Sequence, residues 1–493
     1  MTKTVVDWMR QSGVAFGTSG ARGLVTAMSD RVCHAYTLGF LGFLHEVGAW
    51  QPGMPVALAG DLRPSTPRIL AACAVAIRDA GGEPVFCGYQ PTPAMAAWAF
   101  FRCVPSLMVT GSHIPDDRNG IKFFRPEGEV LKEDEAGIAR QWVDQGQRQW
   151  RDDGGMIDAA PLPAPVDVAT VYVARYVEAF GATALAGRRI GVYQHSAVGR
   201  DVLVQVLTGL GAEVLPLGRS DRFIPVDTEA VRPEDQALAR QWAAEHGCDA
   251  IASTDGDSDR PLLADENGTW LRGDILGLLC ARMLRADVVV TPVSSNSVLE
   301  RIPEFARVER TRIGSPYVIA AMDRVRATGT VVCGYEANGG FLLGSDIVIN
   351  GRTLSALPTR DAVLPIVAAL VAAGTGGLAA LVQDLPPGVT HSDRLPDFAP
   401  ARRDALLGWL VPADTSERNA RLNQAFGPIA GSPLADVNLI DGVRMIFANG
   451  RVIHLRGSGN APELRCYTEA ETPAVAANMN SDSLALVARN FPG

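Results

Sequence analysis

One unit of sequence, repeated, constrains this chain more than any other feature. From Pro55 the order is a short apolar strand (Val56 to Ala59), a polar loop (Asp61-Leu62-Arg63-Pro64-Ser65), an amphipathic helix (Thr66 to Ala80), a Gly81-Gly82 stop and a second strand (Pro84 to Cys87). The same order returns at Arg189, with strand Ile190 to Tyr193, loop His195 to Gly199, helix Arg200 to Leu210, Gly211 and strand Glu213 to Leu217. A third, less regular copy runs from Asp287 to Val290 and on to Thr330 to Cys333. A strand that returns parallel to its neighbour needs a crossover, usually a helix. Three such units, spaced by roughly the size of a small domain, predict three related α/β domains in tandem, each a mixed, mostly parallel sheet with helices on both faces.

After about Pro386 the pattern changes. Strand-like stretches crowd together (Asp436 to Ile440, Val443 to Phe447, Val452 to Arg456, Leu464 to Glu469), with hairpin signals at Asp441-Gly442 and Asn449-Gly450. This end predicts an α+β domain with an antiparallel sheet. Gly154 to Pro165, rich in Gly, Ala and Pro, reads as a linker, so the expected domains are 1–153, 166–268, 269–385 and 386–493.

A chain of 493 residues exceeds what one core supports. Its net charge of −9 argues against nucleic acid or an anionic membrane as partner, so any phosphate it binds must be held locally. Asp7 and Trp8 interrupt the place where a secretory leader needs an apolar core, and the expected location is the cytoplasm. The eight cysteines are scattered without close pairs, as reduced thiols are. The apolar tract Ala362 to Val382 contains Pro365 and glycines from Gly374, which point to a buried helix and a turn rather than a membrane span.

Five loops carry the chemistry. Phe16 to Gly23 holds three glycines, two hydroxyls and Arg22, a combination able to bring N–H groups and a guanidinium to an oxyanion. Val109 to Phe124 displays Ser112 at a bend between Gly111 and His113; a plain polar turn is the alternative. Asp255-Gly256-Asp257-Ser258-Asp259-Arg260 follows the apolar run Ala250 to Ala252. Carboxylates at alternate positions there repel one another unless a cation lies between them, and hard oxygen ligands suit Mg²⁺ completed by a phosphate oxygen. An EF-hand is excluded, because Arg260 replaces the required glycine and Pro261 follows. An aspartyl nucleophile at Asp255, with Asp257 as its acid, is a rival that leaves the Ser112 loop without a role. Gly334 to Gly340 sets Glu336 and Asn338 two apart, where they suit a pair of sugar hydroxyls or merely form a turn. Arg456-Gly457-Ser458-Gly459-Asn460-Ala461-Pro462, with Arg465 and Tyr467 beyond, reads as a phosphate cradle or a decorated hairpin.

With these loops in this order, essentially the whole chain resembles the α-D-phosphohexomutase superfamily, which includes phosphomannomutases, phosphoglucomutases and phosphoglucosamine mutases. The resemblance implies four domains around a central cleft. It implies that Ser112 carries the phosphoryl group, that Asp255, Asp257 and Asp259, with Ser112, hold Mg²⁺, and that Arg22, His113, Lys122 and Arg260 attend the transferring phosphate. Glu336, Asn338 and Gly339 would then contact the sugar, and Arg456, Ser458, Asn460 and Arg465 the substrate phosphate. The expected reaction interconverts mannose 6-phosphate and mannose 1-phosphate through a hexose bisphosphate. Glucose phosphates, amino-sugar phosphates and a non-catalytic phosphosugar-binding protein are the alternatives. Two departures stand out. Ile114 occupies the place where the family has Asn between His and Pro, and Glu336-Ala337-Asn338-Gly339-Gly340 replaces the Glu-x-Ser-Gly-His common in bacterial mutases.

Overall fold

The computed structural model describes residues 3–490 apart from 18, 147, 159, 328 and 458–462, together with all but the side chain of Pro400. Each of the three repeats builds a sheet with the same wiring. In the first, the strands in chain order are Pro55–Gly60, Glu83–Tyr89, Ser106–Val109 and Arg118–Arg125. In the second they are Arg189–His195, Glu213–Arg219, Ala250–Thr254 and Pro261–Ala264. In the third they are Val288–Pro292, Arg307–Thr311, Val332–Tyr335 and Phe341–Leu343. Across every sheet the order is second, first, third, fourth. The first strand pairs in parallel with the second and third, and the fourth runs antiparallel to the third.

This wiring places the functional loops. The connection from third to fourth strand emerges at the carboxyl ends of the parallel strands, where ligands collect in open α/β sheets. In the three repeats that connection is, in turn, the Ser112 loop, the Asp255–Asp259 loop and the Glu336–Gly340 loop. The first and third sheets are extended by antiparallel strands, Ala21–Leu24 beside Arg118–Arg125 and Leu357–Asp361 beside Phe341–Leu343. These bring Arg22 and Arg360 to the same end.

The helices follow from their apolar spacing. Thr66–Asp79 starts with Pro67, whose missing N–H is no loss in a first turn, and buries Ile69, Leu70, Cys73 and Ile77. Arg200–Gly209 buries Val202, Leu203, Val206 and Leu207 in the corresponding position. Pro365 lies in the first turn of the buried helix Val363–Ala373 and does not interrupt it; the break comes at Gly374. No helix of the described residues is long and apolar enough to cross a membrane.

The last sheet is fully antiparallel, in the order Val389–Leu395, Leu464–Ala470, Val452–Gly457, Val443–Phe447 and Leu434–Asn438. Its Met445, Ile453 and Cys466 form a separate core with Leu406, Phe426 and Met479 of the flanking helices. By contrast, one continuous core runs from Met108 and Phe124 through Tyr172 and Val206 to Leu276 and Leu364, tying the three repeats together. Polar contacts join the last unit to the third: Asn296 Nδ2 donates to Thr390 Oγ1 at 2.9 Å, Ser297 N to Glu469 Oε2 at 2.9 Å, and Ile313 N to Asp441 Oδ2 at 3.1 Å. The last unit thus has its own core and meets the third repeat through these polar contacts.

Candidate active site

Ser112 sits at φ +56°, a left-handed conformation that costs a non-glycine residue of order 1–3 kcal/mol unless its surroundings enforce it. Arg63 enforces it. This arginine, 1% exposed, donates to the carbonyls of Ser112 (2.8 Å), Ile114 (2.6 Å), Pro115 (2.7 Å) and Arg118 (3.0 Å). Its Nε pairs with buried Asp61 at 3.1 Å, and Asp61 also accepts from Thr66 and Thr110. The Ser112 N–H donates to Thr110 Oγ1 at 2.7 Å. A strained bend is thereby pinned from behind, leaving the hydroxyl to face the second repeat.

There Ser112 Oγ donates to Asp255 Oδ2 at 2.6 Å. The three aspartates are buried, and each offers an oxygen within 4.8 Å of the others. Their remaining oxygens are occupied in ways that fix them. Asp255 Oδ1 accepts from the N–H groups of Asp259 and Arg260, both at 3.2 Å. Asp257 Oδ2 accepts from Thr92 Oγ1 at 2.6 Å, and Lys122 Nζ bridges Asp257 Oδ2 and Asp259 Oδ2 at 2.5 Å each. Asp257 Oδ1 and Asp259 Oδ1 are buried and have no hydrogen-bond partner among the described residues. Buried oxygens left in this state cost about 1–3 kcal/mol each, a cost that a hard divalent cation removes. The donor set fits such an ion.

Charge balances closely here. Burial, then repulsion from Asp257 and Asp259, pushes the Asp255 carboxyl well above the usual carboxylate range. Burial acts on Asp259 in the same sense, but Arg360, Lys122 and Arg260 outweigh it and hold Asp259 below its ordinary value. Arg22 lies among these groups; burial and the nearby charges of Arg260 and Arg360 bring it down to about 10. Arg260 Nη1 donates to His113 Nδ1 at 2.9 Å, so the ring proton sits on Nε2, which lies 4.0 Å from Asp227 Oδ2. Burial and the Arg260 charge lower His113 to about 3, and the imidazole is neutral near pH 7.

In the third repeat Glu336 Oε2 is 3.2 Å from Arg360 Nη1. Asn338 turns its Oδ1 back to the Gly340 N–H at 2.9 Å, and its carbonyl accepts from Thr228 at 2.7 Å. With Oδ1 engaged, the amide NH₂ is what Asn338 offers to a ligand. Gly339 lies between them in the same turn.

In the last unit Arg394, Arg465 and Arg456 stand directly opposite one another on three adjacent strands. Like charges so placed repel, and Glu463 (2.9 Å from Arg465, 3.4 Å from Arg394) and Asp441 (3.3 Å from Arg456) temper them. Such a row is suited to an anion. Ser458 and Asn460 lie outside the described residues. Burial raises the Glu229 carboxyl, and the charges of Arg260, from the metal-site loop, and of Arg465, from the arginine row, act against it.

Arg63, Thr92 and Arg360 are the participants that sequence reasoning missed. Arg63 stands in a polar loop already read as such, and Arg360 sits between Thr359 and Asp361 at the end of a short strand, with no local signal of its role.

Comparison with known proteins agrees with this layout. Models of the phosphoglucomutase/phosphomannomutase family match in order: α/β/α domain I at residues 13–148, domain II at 171–268, domain III at 272–388 and the C-terminal domain at 413–484. Phosphomannomutases of Salmonella muenchen and Sinorhizobium fredii are each 44% identical over 96% of this chain, covering 95% and 99% of their own lengths. The crystal structure of a phosphoglucomutase/phosphomannomutase family protein from Burkholderia thailandensis superposes with a TM-score of 0.71 at 19% identity, over 97% of this chain and 98% of that one. The chain belongs to the phosphoglucomutase/phosphomannomutase family.

Proposed function

We propose that the protein is a Mg²⁺-dependent phosphohexomutase that interconverts mannose 6-phosphate and mannose 1-phosphate through phosphorylated Ser112 and a hexose bisphosphate. The observation that carries this reading is the 2.6 Å contact between the Ser112 hydroxyl and Asp255, beside two buried carboxylate oxygens that accept no hydrogen bond from the described residues. The 44% identical phosphomannomutases support mannose as the sugar.

Mg²⁺ would be held by Asp255, Asp257, Asp259 and an oxygen on Ser112, and when bound it offsets charge on the transferring group. The chain does the rest by alignment and electrostatics. The bond from phosphorus to Ser112 Oγ breaks as one to the sugar hydroxyl forms, and the hydroxyl proton ends on Ser112. Asp255 Oδ2, 2.6 Å from Oγ, is placed to pass it, while His113, whose Nδ1 lone pair is taken by Arg260, steadies that guanidinium beside the phosphoryl group. Lys122, Arg260 and Arg22 counter the charge spread over the phosphoryl oxygens. Glu336, Asn338 and Gly339 grip the sugar, while Arg456, Ser458, Asn460 and Arg465 hold the far phosphate. The bisphosphate then turns end for end and returns its other phosphate to Ser112, a step that movement of the C-terminal unit, which has its own core, would permit.

The matched family ranges support a division into domains 1–153, 166–268, 269–385 and 386–493. Coupled assays on mannose and glucose phosphates, with Ser112→Ala as control, test the reading. Turnover is expected on mannose phosphates and lost in the variant. A protein that binds sugar phosphate without turnover, or a variant as active as the parent, contradicts it.

A further inference from the structure

The sugar loop lacks a side chain at position 340, and the structure shows what takes that space. A Cβ on Gly340 would stand 2.6 Å from Arg360 Cδ and 2.8 Å from its Cγ. Arg360 enters from the end of the strand Leu357–Asp361 and is 2% exposed. Its Nε and Nη2 both lie 2.9 Å from Asp259 Oδ2, in the metal-site loop. Its Nη1 reaches Glu336 Oε2 at 3.2 Å, in the sugar loop, and donates to Ser315 Oγ at 3.3 Å. Ser315 and Thr359 in turn donate to the two oxygens of Glu129, at 2.8 and 2.7 Å, in the first repeat. One planar guanidinium is therefore braced against all three repeats, and its fork spans the two carboxylates whose separation sets where a sugar lies relative to the transferring phosphate.

We propose that Arg360 is a positioning residue, which takes the room left at Gly340 and fixes the Glu336 carboxylate against Asp259 so that the sugar hydroxyl meets the phosphoryl group in line. The proposal rests on the mutase reading and assigns to it a residue outside the loops that carry the family resemblance. Gly340 and Arg360 are complementary on this account: the first must stay small because the second lies over it. Lysine lacks the planar fork that holds the two carboxylates in a fixed relation.

The test compares Arg360→Gln, Arg360→Lys, Gly340→Ala, Glu336→Gln and the Arg360→Gln/Glu336→Gln double variant. Each is measured for kcat and KM on mannose 1-phosphate, for hexose-phosphate affinity by calorimetry, for Mn²⁺ binding by electron paramagnetic resonance, and for melting temperature. Arg360→Gln is expected to lower kcat/KM by about 100-fold and weaken hexose-phosphate binding by about 10-fold, while still binding Mn²⁺. Arg360→Lys recovers part of the loss. The double variant is no worse in hexose-phosphate affinity than Glu336→Gln alone, because Arg360 acts on the sugar through that carboxylate. If Arg360→Gln fails to fold, Gly340→Ala carries the test, since it displaces the arginine while keeping its charge, and the same direction of loss is expected. Parental kcat/KM and affinity in Arg360→Gln or Gly340→Ala, or additive losses of affinity in the double variant, would overturn the role of Arg360. A parent protein without turnover would overturn the mutase reading instead; calorimetry then still decides, since an affinity untouched by Arg360→Gln removes the positioning role.

Discussion

Arg63 offers the sharpest test of how the Ser112 bend is held. Arg63→Met keeps the apolar stem and removes the guanidinium, whose carbon stands 4.2 Å from the centroid of the Phe223 ring, and with it every donor. Asp61, 0% exposed, then loses its charged partner, although the hydroxyls of Thr66 and Thr110 stay. Breaking a buried ion pair from one side costs about 3–5 kcal/mol. Of the four carbonyls released, those of Pro115 and Arg118 belong to exposed residues and regain water, whereas that of Ser112 is buried and adds about 1 kcal/mol or more. Protonation of Asp61, already raised by burial, limits the total to about 4 kcal/mol. The loss is local, so hydrogen exchange is the right assay: amides whose protection depends on the bend, such as Ile114 and Arg118, should exchange about a thousand times faster. The strand Val288–Pro292, far away in the third repeat, should be unaffected. Unchanged exchange at 112–118 in a folded variant would refute the argument that Arg63 holds the bend.

Three further outcomes follow from the geometry. Lys122→Met removes the bridge between Asp257 and Asp259, and kcat should fall on the order of 100–1000-fold in steady-state assays; a loss under threefold would contradict its place beside the transferring phosphate. Burial holds His195 and His454 at about 4, against an ordinary 6.5, so the native state binds fewer protons than the unfolded chain between those values. Stability is full above pH 6.5 and drains as pH falls towards 4, by up to about 3 kcal/mol per histidine; melting temperature should drop between pH 7 and 5, less steeply in His195→Gln/His454→Gln, and equal slopes would count against this. A Cβ on Gly273 would lie 2.3 Å from the Gly339 backbone N, so Gly273→Ala should push the sugar loop aside and raise KM for hexose phosphates at least tenfold, with Mn²⁺ binding kept; a parental KM would show that the loop yields freely.

Much of the site was legible because its chemistry is local. Asp255, Asp257 and Asp259 are alternate residues of one loop, and Ser112 lies between a glycine and a histidine, so spacing alone exposes them. Arg63, Thr92 and Arg360 act on residues far away in the chain: Thr92 meets Asp257 across 165 positions and Arg360 meets Asp259 across 101. Nothing in the neighbourhood of such residues separates them from ordinary surface polar groups. The repeated sheets were readable from their buried, apolar strands, whereas Val389–Leu395 was not, since its exposed residues, Ser392 to Arg394, are all polar and the strand lies at a sheet edge. Helix Thr415–Ala430, polar on most of its surface and carrying Pro428, escaped for a similar reason.

The central claim is that a phosphoryl group travels on the Ser112 oxygen. Incubating the protein with ³²P-labelled hexose bisphosphate and Mg²⁺, then mapping the label by peptide mass spectrometry before and after hydroxylamine, tests it most directly. The account predicts label on Ser112 that survives hydroxylamine and is absent from Ser112→Ala. Label on Asp255 that hydroxylamine removes, or label undiminished in Ser112→Ala, would contradict it.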